Sequence, residues 1–489
     1  MLAPWVSEEM KDVDLGDKRL NERLKEVLSQ LGGHPTASIP GACGGYAEMT
    51  AAYRLFDNEK ATFENVLQPH IEATHQRMVE HPVVILSQDT TELDVTRPEQ
   101  QVEGAGPLDD GARCGAFLHP VVGFTPDGTP LGTVYAEMWT RDDKTSDTRS
   151  TKEVEYDRKH TPIEEKESQR WLDAFRECCA VAQRIPQTHF IAVADSEADI
   201  YELLEEAQDN GSTDWIIRAC QDRALEKQQK TEASGEPANH LYDCVAATEV
   251  LFTQIIKVRG RKAKLANDKR GRRQPRQSRT AEVEVRAATV TLRPPWRHDR
   301  TLTNVTINVV LVTEVNPPKG DTPVEWILLT SLPIDTEEAV RTVIQYYCIR
   351  WMIEVFFRTL KSGCRVEERR FERLDRLERC VAVYLIVTWR TLFVCRLGRE
   401  FPDLSCEAVF EPEEWKAVYY VIHKKPPHAT PPTLQEMVRM VAQLGGYVNR
   451  KRSEEPGPQT VWLGLQRTYD LATCWLAFGP ESENKGVLV

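Results

Sequence analysis

The sequence predicts a mixed α/β protein in which a sheet core lies between a helical N-terminal segment and a helical C-terminal segment. Residues 1–70 and the residues after about 377 carry apolar side chains at helical spacing. Between them, short apolar runs of strand length alternate with amphipathic helices, a pattern typical of a mixed sheet. Residues 222–333 are rich in turns and strands, which indicates a β insertion. Because 489 residues exceed one ordinary core, we divide the chain into 1–70, 71–376 and 377–489.

The N-terminal segment is expected to form a small helical unit with a basic face. In DLGDKRLNERLKEVLSQLGG the leucines recur at helical spacing, and the opposite face carries Arg19 and Arg23. GACGGYAEMTAAYRLFDN then predicts a turn and a second helix, with Arg54 near its end. Cations on a compact helical unit are consistent with a DNA-binding module.

Two predicted strands of the core end on an aspartate. VVILSQ leads to Asp89, and HFIAVA leads to Asp195, which is followed directly by a predicted helix. The other predicted core elements are a hairpin at 115–139, a helix at 164–185 and a strand at 214–220 that ends near Arg218.

Bulk composition restricts the class of protein. The net charge of −13 argues against a nucleic-acid partner, but eleven Lys and Arg are concentrated between Lys257 and Arg279. Such a segment is typical of a phosphate-backbone binder, with a solvated loop as the alternative.

We find no signal peptide and no apolar run of about 18 to 20 residues, and therefore expect a cytoplasmic protein without a membrane span. The twelve scattered cysteines form no C-x2-C pair, so we expect buried reduced thiols and no zinc site.

The strand-end aspartates are candidate metal ligands. Functional sites collect at strand ends in α/β sheets, and two neighbouring carboxylates need a cation between them. Mg²⁺ prefers such oxygen ligands, and a third carboxylate would complete a two-metal site for phosphodiester chemistry. The alternative for each aspartate is a helix N-cap, a role that suits Asp195 before EADIYELL.

The third candidate lies in YYCIRWMIEVFFRTLK, residues 346–361. Counted at 100° per residue, its polar side chains fall within a stripe of about 80°, while the apolar residues, Cys348 among them, occupy the buried side. The stripe consists of Tyr347, Arg350, Glu354, Arg358 and Lys361. An amphipathic helix with i,i+4 ion pairs is the simpler alternative, but a cleft lining explains why so narrow a polar strip borders a large apolar surface.

These residues resemble the bacterial cut-and-paste DDE transposases, in the insertion-sequence subgroup with a Tyr-x2-Arg-x3-Glu-x6-Lys signature. Tyr347, Arg350, Glu354 and Lys361 stand at the spacings of that signature. QDTTELD around Asp89 is similar to the first aspartate motif, and ADSEADIYELL to the second. Ser196 replaces the arginine that usually follows the second aspartate, so no role is carried over to that side chain.

The resemblance covers nearly the whole chain. LGDKRLNERL with Arg19 and Arg23, and Ala-Tyr-Arg ending at Arg54, are similar to DNA-recognition segments. Trp326 corresponds to a tryptophan that fills the gap left by a flipped-out base, and Arg218 to a phosphate-contacting arginine. QLGGYVNRKR with the later tryptophans resembles a dimerisation domain.

The family implies an RNase H-like core that acts as a homodimer on transposon-end inverted repeats and on target DNA. Asp89, Asp195 and Glu354 are the implied catalytic metal ligands, for Mg²⁺, with Mn²⁺ as a substitute and with two ions. Water cuts the first strand, the freed 3′-OH forms a hairpin that is reopened, and the 3′-OH then joins target DNA. The implied DNA contacts are Tyr347, Arg350, Arg358, Lys361, Trp326, Arg218, Arg19, Arg23 and Arg54.

Two alternatives stay open at this point. A nuclease of the same fold would cut DNA without joining it. A DNA-binding regulator would have lost catalysis, and the presence of all three carboxylates counts against that reading.

Overall fold

A computed structural model describes residues 2–109, 112–142, 156–157, 160–226, 239–258, 278–321, 323–448 and 455–480. Most of the basic segment Lys257–Arg279 therefore lies outside the described residues. The α-helices are, in chain order, α1 Pro4–Glu9, α2 Lys18–Gly33, α3 Ile39–Ala42, α4 Tyr46–Phe56, α5 Phe63–Val79, α6 Gln169–Arg184, α7 Tyr201–Asp209, α8 Leu241–Ala246, α9 Glu337–Ile349, α10 Trp351–Arg358, α11 Leu374–Glu400, α12 Pro412–His423, α13 Leu434–Leu444 and α14 Pro458–Phe478.

The strands form one mixed sheet at the centre of the molecule. They are β1 Val83–Gln88, β2 Thr91–Asp94, β3 Gly106–Pro107, β4 Cys114–Phe124, β5 Pro130–Trp139, β6 His189–Ala194, β7 Asp214–Arg218, β8 Phe252–Val258, β9 Arg279–Leu292, β10 Val305–Glu314 and β11 Glu325–Thr330. The order along the sheet is β2-β4-β1-β6-β7-β11-β10-β9-β8, and β3 and β5 also pair with β4. This arrangement confirms the predicted mixed α/β core.

The sheet combines a parallel centre with antiparallel flanks. β1, β6 and β7 are parallel, so their carboxyl ends lie at one edge. The predicted β insertion extends this sheet, because β11 pairs antiparallel with β7 and leads on to β10, β9 and β8. The insertion is thus continuous with the sheet that carries Asp89 and Asp195.

The terminal helices share a core with one face of the sheet. The largest apolar cluster joins buried side chains of α2, α4 and α5 to β4, α10 and α11. α5 runs through residue 70 and α11 begins at Leu374, so both helices cross the positions where the sequence was divided.

The helix α11 is unusually apolar for its length. It is long and apolar enough to span a membrane, with a mean hydropathy of 1.6 over its best window. However, 78% of that window is buried inside the protein, where α11 packs against α5, β5 and the C-terminal helices. Its apolar character is therefore explained by its place as a central core helix.

The segment 346–361 is not one regular helix, which contradicts the angular count made on the sequence. α9 ends at Ile349, a tight turn at Arg350 follows, and α10 continues from Trp351 into a π-helical turn at Thr359–Gly363. At the turn, the amides of Arg350 and Ile353 bond to carbonyls three residues back. Each irregularity rotates the residues beyond it relative to an ideal helix, so the predicted stripe is divided.

Candidate active site and DNA-contacting surfaces

The two strand-end aspartates lie side by side at the carboxyl edge of the parallel strands. β1 and β6 are paired in register, with Ser87 opposite Val193. Asp89 and Asp195 each follow two residues later, so the register places them at the same edge of adjacent strands. The structure thus brings the two predicted residues together at one edge of the sheet.

Glu354 contributes to the electrostatic environment of Asp89, as the causes of the Asp89 pKa shift show. The pKa of Asp89 is raised to about 8, first by burial and then by the negative charge of Asp195. Arg350 lowers this pKa, whereas Glu354 raises it and the backbone N–H of Thr90 lowers it. All three predicted carboxylates therefore act on one buried position.

Arg350 lies between two of these carboxylates. Its Nη1 is 2.9 Å from Oδ2 of Asp89 and 3.9 Å from Oε1 of Glu354. Although burial opposes its charge, the pKa of Arg350 is raised because Asp89 and its other anionic neighbours stabilise the guanidinium. The turn at Arg350 directs this side chain toward β1, and Ser87 Oγ donates a long bond of 3.4 Å to the Arg350 carbonyl.

The donor set has the chemistry of a site for a hard divalent cation. It offers carboxylate oxygens only, and the pKa of Asp89 is raised by burial and then by the negative charge of Asp195, which a cation would offset. Within the described ranges, no three His, Cys, Asp or Glu side chains are close enough to share one ion. Arg350 supplies the positive charge beside Asp89, while the Glu354 side chain is 42% exposed.

Asp195 also serves as the N-cap that the sequence suggested as an alternative. Its Oδ1 accepts a bond of 2.8 Å from the backbone N–H of Glu197, at the start of a 3₁₀ turn, Ser196–Ala198. One carboxylate oxygen is thus occupied by the cap, which fixes the orientation of the side chain.

Tyr347 is buried, which contradicts its predicted place on an exposed stripe. It lies on α9 before the turn and packs in an apolar cluster with Trp326, their ring centroids 5.7 Å apart. Burial raises the pKa of Tyr347, while Arg350 and Arg218 lower it. The neighbouring Cys348 is also misplaced by the ideal-helix count, because it is exposed rather than buried.

Trp326 and Arg218 lie at the same edge of the sheet as Asp195. β11 runs antiparallel to β7, so its first residues lie beside the carboxyl end of β7. Trp326 is half-buried, and Arg218 donates from Nη2 to the carbonyl of Glu325 at 3.2 Å. Both residues therefore border the carboxylates.

The two remaining cations of the segment 346–361 lie further along the chain. Arg358 ends α10 and is exposed. Lys361 lies in the π-helical turn, where its Nζ is 3.6 Å from Oε1 of Glu367. The signature is therefore presented by α9, a turn, α10 and a π-turn in succession.

The predicted DNA-recognition residues of the N-terminal unit are accessible. Arg19 and Arg23, on α2, line a surface groove of about 570 Å³ together with Lys60. Arg23 forms an ion pair of 2.7 Å with Glu26. Arg54 is exposed near the end of α4, apart from the residues that line this groove.

Sequence reasoning missed a polar network behind Asp89. Arg170, at the start of α6, donates from Nε to Oγ1 of Thr90 at 3.0 Å. The Thr90 hydroxyl also lies 2.9 Å from Nδ1 of His119, whose pKa burial lowers well below its usual range. The sequence signal was weak, because Thr90 lies within QDTTELD but no motif spacing links it to Arg170 or His119.

Comparison with known families covers most of the chain in three parts. Residues 2–61 match the transposase DNA-binding model, residues 169–389 the transposase DDE domain, and residues 386–473 the transposase Tn5 dimerisation domain. Taken with the mixed sheet, these matches define a DNA transposase of the DDE class with an RNase H-like catalytic core. The chain belongs to the Tn5-like DDE transposases. It accordingly binds DNA and forms a homodimer, which confirms what the resemblance in the sequence implied.

Proposed function

We propose that this transposase cuts the ends of a DNA transposon at a site in which Asp89, Asp195 and Glu354 hold divalent ions. The family generally implies a divalent metal, and we assign it as Mg²⁺, with two ions and with Mn²⁺ as a substitute. The observation that carries the proposal is the parallel register that aligns Asp89 with Asp195, combined with the charge of Glu354 at the same place.

In this proposal, some side chains hold the metal and others orient the metal ligands. When bound, the metal supplies charge neutralisation and activates the attacking oxygen. Arg350 orients the buried Asp89 through its 2.9 Å contact and lowers the pKa of this carboxyl, which favours the ionised form that would bind metal. Asp195 is fixed by its cap bond, whereas the more exposed Glu354 adjusts its rotamer as the substrate enters.

Cations around the carboxylates bind the phosphates of the strand being cut. We assign this role to Arg350, Arg358, Lys361 and Arg218, since charge-assisted contacts to phosphate position DNA without reading its sequence. Tyr347 is buried, so we assign its hydroxyl, rather than its ring face, to the DNA strand. Arg19, Arg23 and Arg54 are assigned to the transposon end, where the exposed N-terminal unit presents them.

The strand chemistry follows the order that the family resemblance implies. Water attacks the first phosphodiester, and the released 3′-OH attacks the opposite strand to give a hairpin, which is reopened. The same 3′-OH then attacks target DNA. One base leaves the DNA stack during hairpin formation, and we propose that the Trp326 ring fills the gap that this base leaves. Trp326 is half-buried beside the site.

The catalytic unit is proposed to act in trans across the homodimer. We keep the division into an end-recognition unit at 1–70, a catalytic unit at 71–376 and a dimerisation unit at 377–489 as a proposal. A cytoplasmic, nucleoid-associated location belongs to the same proposal.

The assignment of Glu354 is tested by separating binding from cleavage. Glu354→Gln removes one ligand charge without changing the side-chain volume, so end binding should persist while cleavage falls by more than about 100-fold, beyond the loss typical of outer-shell changes. Gel-shift and cleavage assays on one labelled end measure both. Glu338→Gln, on the first turn of α9, is the matched control and should keep both activities. Loss of end binding in Glu354→Gln would instead make Glu354 a structural residue.

Joining separates the transposase from a simple nuclease and from a silent regulator. A pre-nicked end incubated with Mg²⁺ and plasmid should give a joined product. Cleavage without joining would favour the nuclease, and binding without either reaction would favour the regulator.

A further inference from the structure

We propose that Arg170 is a positioning residue that ties together the two chain segments following Asp89 and Asp195, and thereby sets the metal affinity of the site. This inference rests on the proposed role of those two aspartates as ligands.

The Arg170 guanidinium reaches both segments at once. Its Nε donates to the Thr90 hydroxyl at 3.0 Å, directly after Asp89. Its Nη2 lies 3.3 Å from Oε2 of Glu197, whose backbone N–H donates to Oδ1 of Asp195. One side chain on α6 therefore connects the residue beside one aspartate with the residue that orients the other.

The guanidinium is itself held in place from several sides. Nη1 donates to the Glu167 carbonyl at 2.6 Å. The ring centroids of Trp139 and Trp171 lie 5.0 and 5.8 Å from its central carbon. Its side chain is only 12% exposed, so these contacts replace solvent and leave it little rotamer freedom.

The bonds beyond Thr90 have a defined direction. Arg170 can only donate, so the Thr90 oxygen accepts from Nε and the hydroxyl hydrogen is available for His119 Nδ1 at 2.9 Å. His119 then carries its proton on Nε2, which faces Oε1 of Gln88 at 3.3 Å. This directed chain anchors both neighbours of Asp89, because Gln88 precedes it and the Thr90 backbone N–H donates to its Oδ1 at 2.8 Å.

The consequence is a site in which two ligands are oriented before metal arrives. Outer-shell groups that orient metal ligands typically change metal affinity by about 10- to 100-fold when removed. Removing the Arg170 contacts should thus raise the metal concentration needed for cleavage, whereas the rate at saturating metal should recover. A purely structural residue would lower the rate by the same factor at every metal concentration.

The test uses the full-length protein and measures two quantities: cleavage of a labelled transposon end as a function of Mg²⁺ concentration, and direct binding of Mn²⁺ to the end complex by electron paramagnetic resonance, which should weaken in Arg170→Met by a similar factor. Arg170→Met should raise the half-saturating Mg²⁺ concentration by about 10-fold or more, with end binding unchanged. Arg176→Met, on the same helix and paired with Asp173 and Glu206, is the matched control and should keep the wild-type Mg²⁺ dependence. An unchanged half-saturating concentration in Arg170→Met, or a uniform loss of rate, would overturn the proposal.

A second pair of variants decides the matter if Arg170→Met does not fold. Thr90→Val removes the hydroxyl at constant volume and should shift the Mg²⁺ dependence in the same direction, whereas Thr90→Ser should resemble the wild type. Equal behaviour of the two Thr90 variants would contradict the positioning role. Asp89→Asn should be inactive at every Mg²⁺ concentration; an active Asp89→Asn would overturn the proposed function itself, independently of Arg170.

Discussion

At the scale of single residues, Asp89 illustrates how a buried carboxylate in the proposed metal site opposes folding. It is buried, faces the negative charge of Asp195 and Glu354, and has its pKa raised to about 8 even with Arg350 beside it. Ionised Asp89 is thus stabilised less in the folded state than in water. A site prepared for cations carries such a cost when metal is absent.

The pH dependence of stability follows with a definite sign. Because the folded-state pKa of Asp89 lies above its usual value of 3.8, its favourable contribution is full below about pH 4 and is lost as pH rises toward 8. Each tenfold difference in proton affinity corresponds to about 1.4 kcal/mol. We therefore expect Asp89→Asn to raise the melting temperature of the metal-free protein at pH 8 but to change it little at pH 4.

Thermal unfolding without metal, followed at both pH values, measures this prediction. Asp173→Asn, on the more exposed surface of α6, is the control and should not show the same change. A lower melting temperature of Asp89→Asn at pH 8 would contradict the assigned charge balance.

Trp326 gives a second prediction at this scale. Trp326→Ala removes a stacking surface, and base stacking is worth about 1 to 3 kcal/mol. First-strand nicking should survive, while hairpin formation falls by about 10-fold or more. Denaturing gels of one end substrate separate the two products, and equal loss of both steps would refute the base-flipping role.

At the scale of secondary-structure elements, regular segments were predictable and irregular ones were not. The strands that lead to Asp89 and Asp195 were evident from short apolar runs, since burial on both faces requires them. For the segment 346–361, the angular positions counted on an ideal helix were wrong. A turn at Arg350 and a π-turn at Thr359–Gly363 both rotate the residues that follow them. The turn at Arg350 coincides with a tertiary contact between Arg350 and Asp89, which no local pattern reports.

The C-terminal helices provide a prediction at this scale. α13 and α14 approach so closely that a Cβ on Gly464 would lie 1.8 Å from the carbonyl oxygen of Val441. Gly464→Ala gains about 1 kcal/mol of helix propensity but forces the helices apart, and overpacking typically costs about 1 to 3 kcal/mol. We expect a net loss of stability in thermal unfolding. Gly211→Ala is the control, because a Cβ at Gly211 meets nothing within 4 Å. An unchanged melting temperature in Gly464→Ala would contradict the prediction and show that the two helices can separate without cost.

At the scale of the whole molecule, the three recognised units are packed on one another rather than strung apart. α11 lies in the centre of the main core and contacts both the N-terminal helices and the C-terminal helices. Arg376 pairs with Asp57, and the buried Arg369 donates to the carbonyl of Pro35 at 2.7 Å. The sequence indicated the helical composition of these units, but their packing depends on long-range contacts between distant segments.

The charge distribution makes DNA binding sensitive to salt. The chain carries a net charge of −13, so attraction to DNA depends on local cations such as Arg19 and Arg23. Affinity should fall steeply between about 50 and 200 mM salt, and removing one phosphate-contacting arginine should reduce the logarithmic slope by about 0.9. Anisotropy titrations of Arg19→Gln measure this, with Arg176→Gln as the control; identical slopes for the two variants would remove Arg19 from the interface.

The most direct test of the central claim counts Mn²⁺ bound by the protein–DNA end complex, using electron paramagnetic resonance of the free ion. The wild type should bind Mn²⁺ at the site, and Asp89→Ala, Asp195→Ala and Glu354→Ala should each lose it while DNA stays bound. Asp173→Ala should bind as the wild type does. Mn²⁺ binding that is unchanged in all three carboxylate variants would contradict the account.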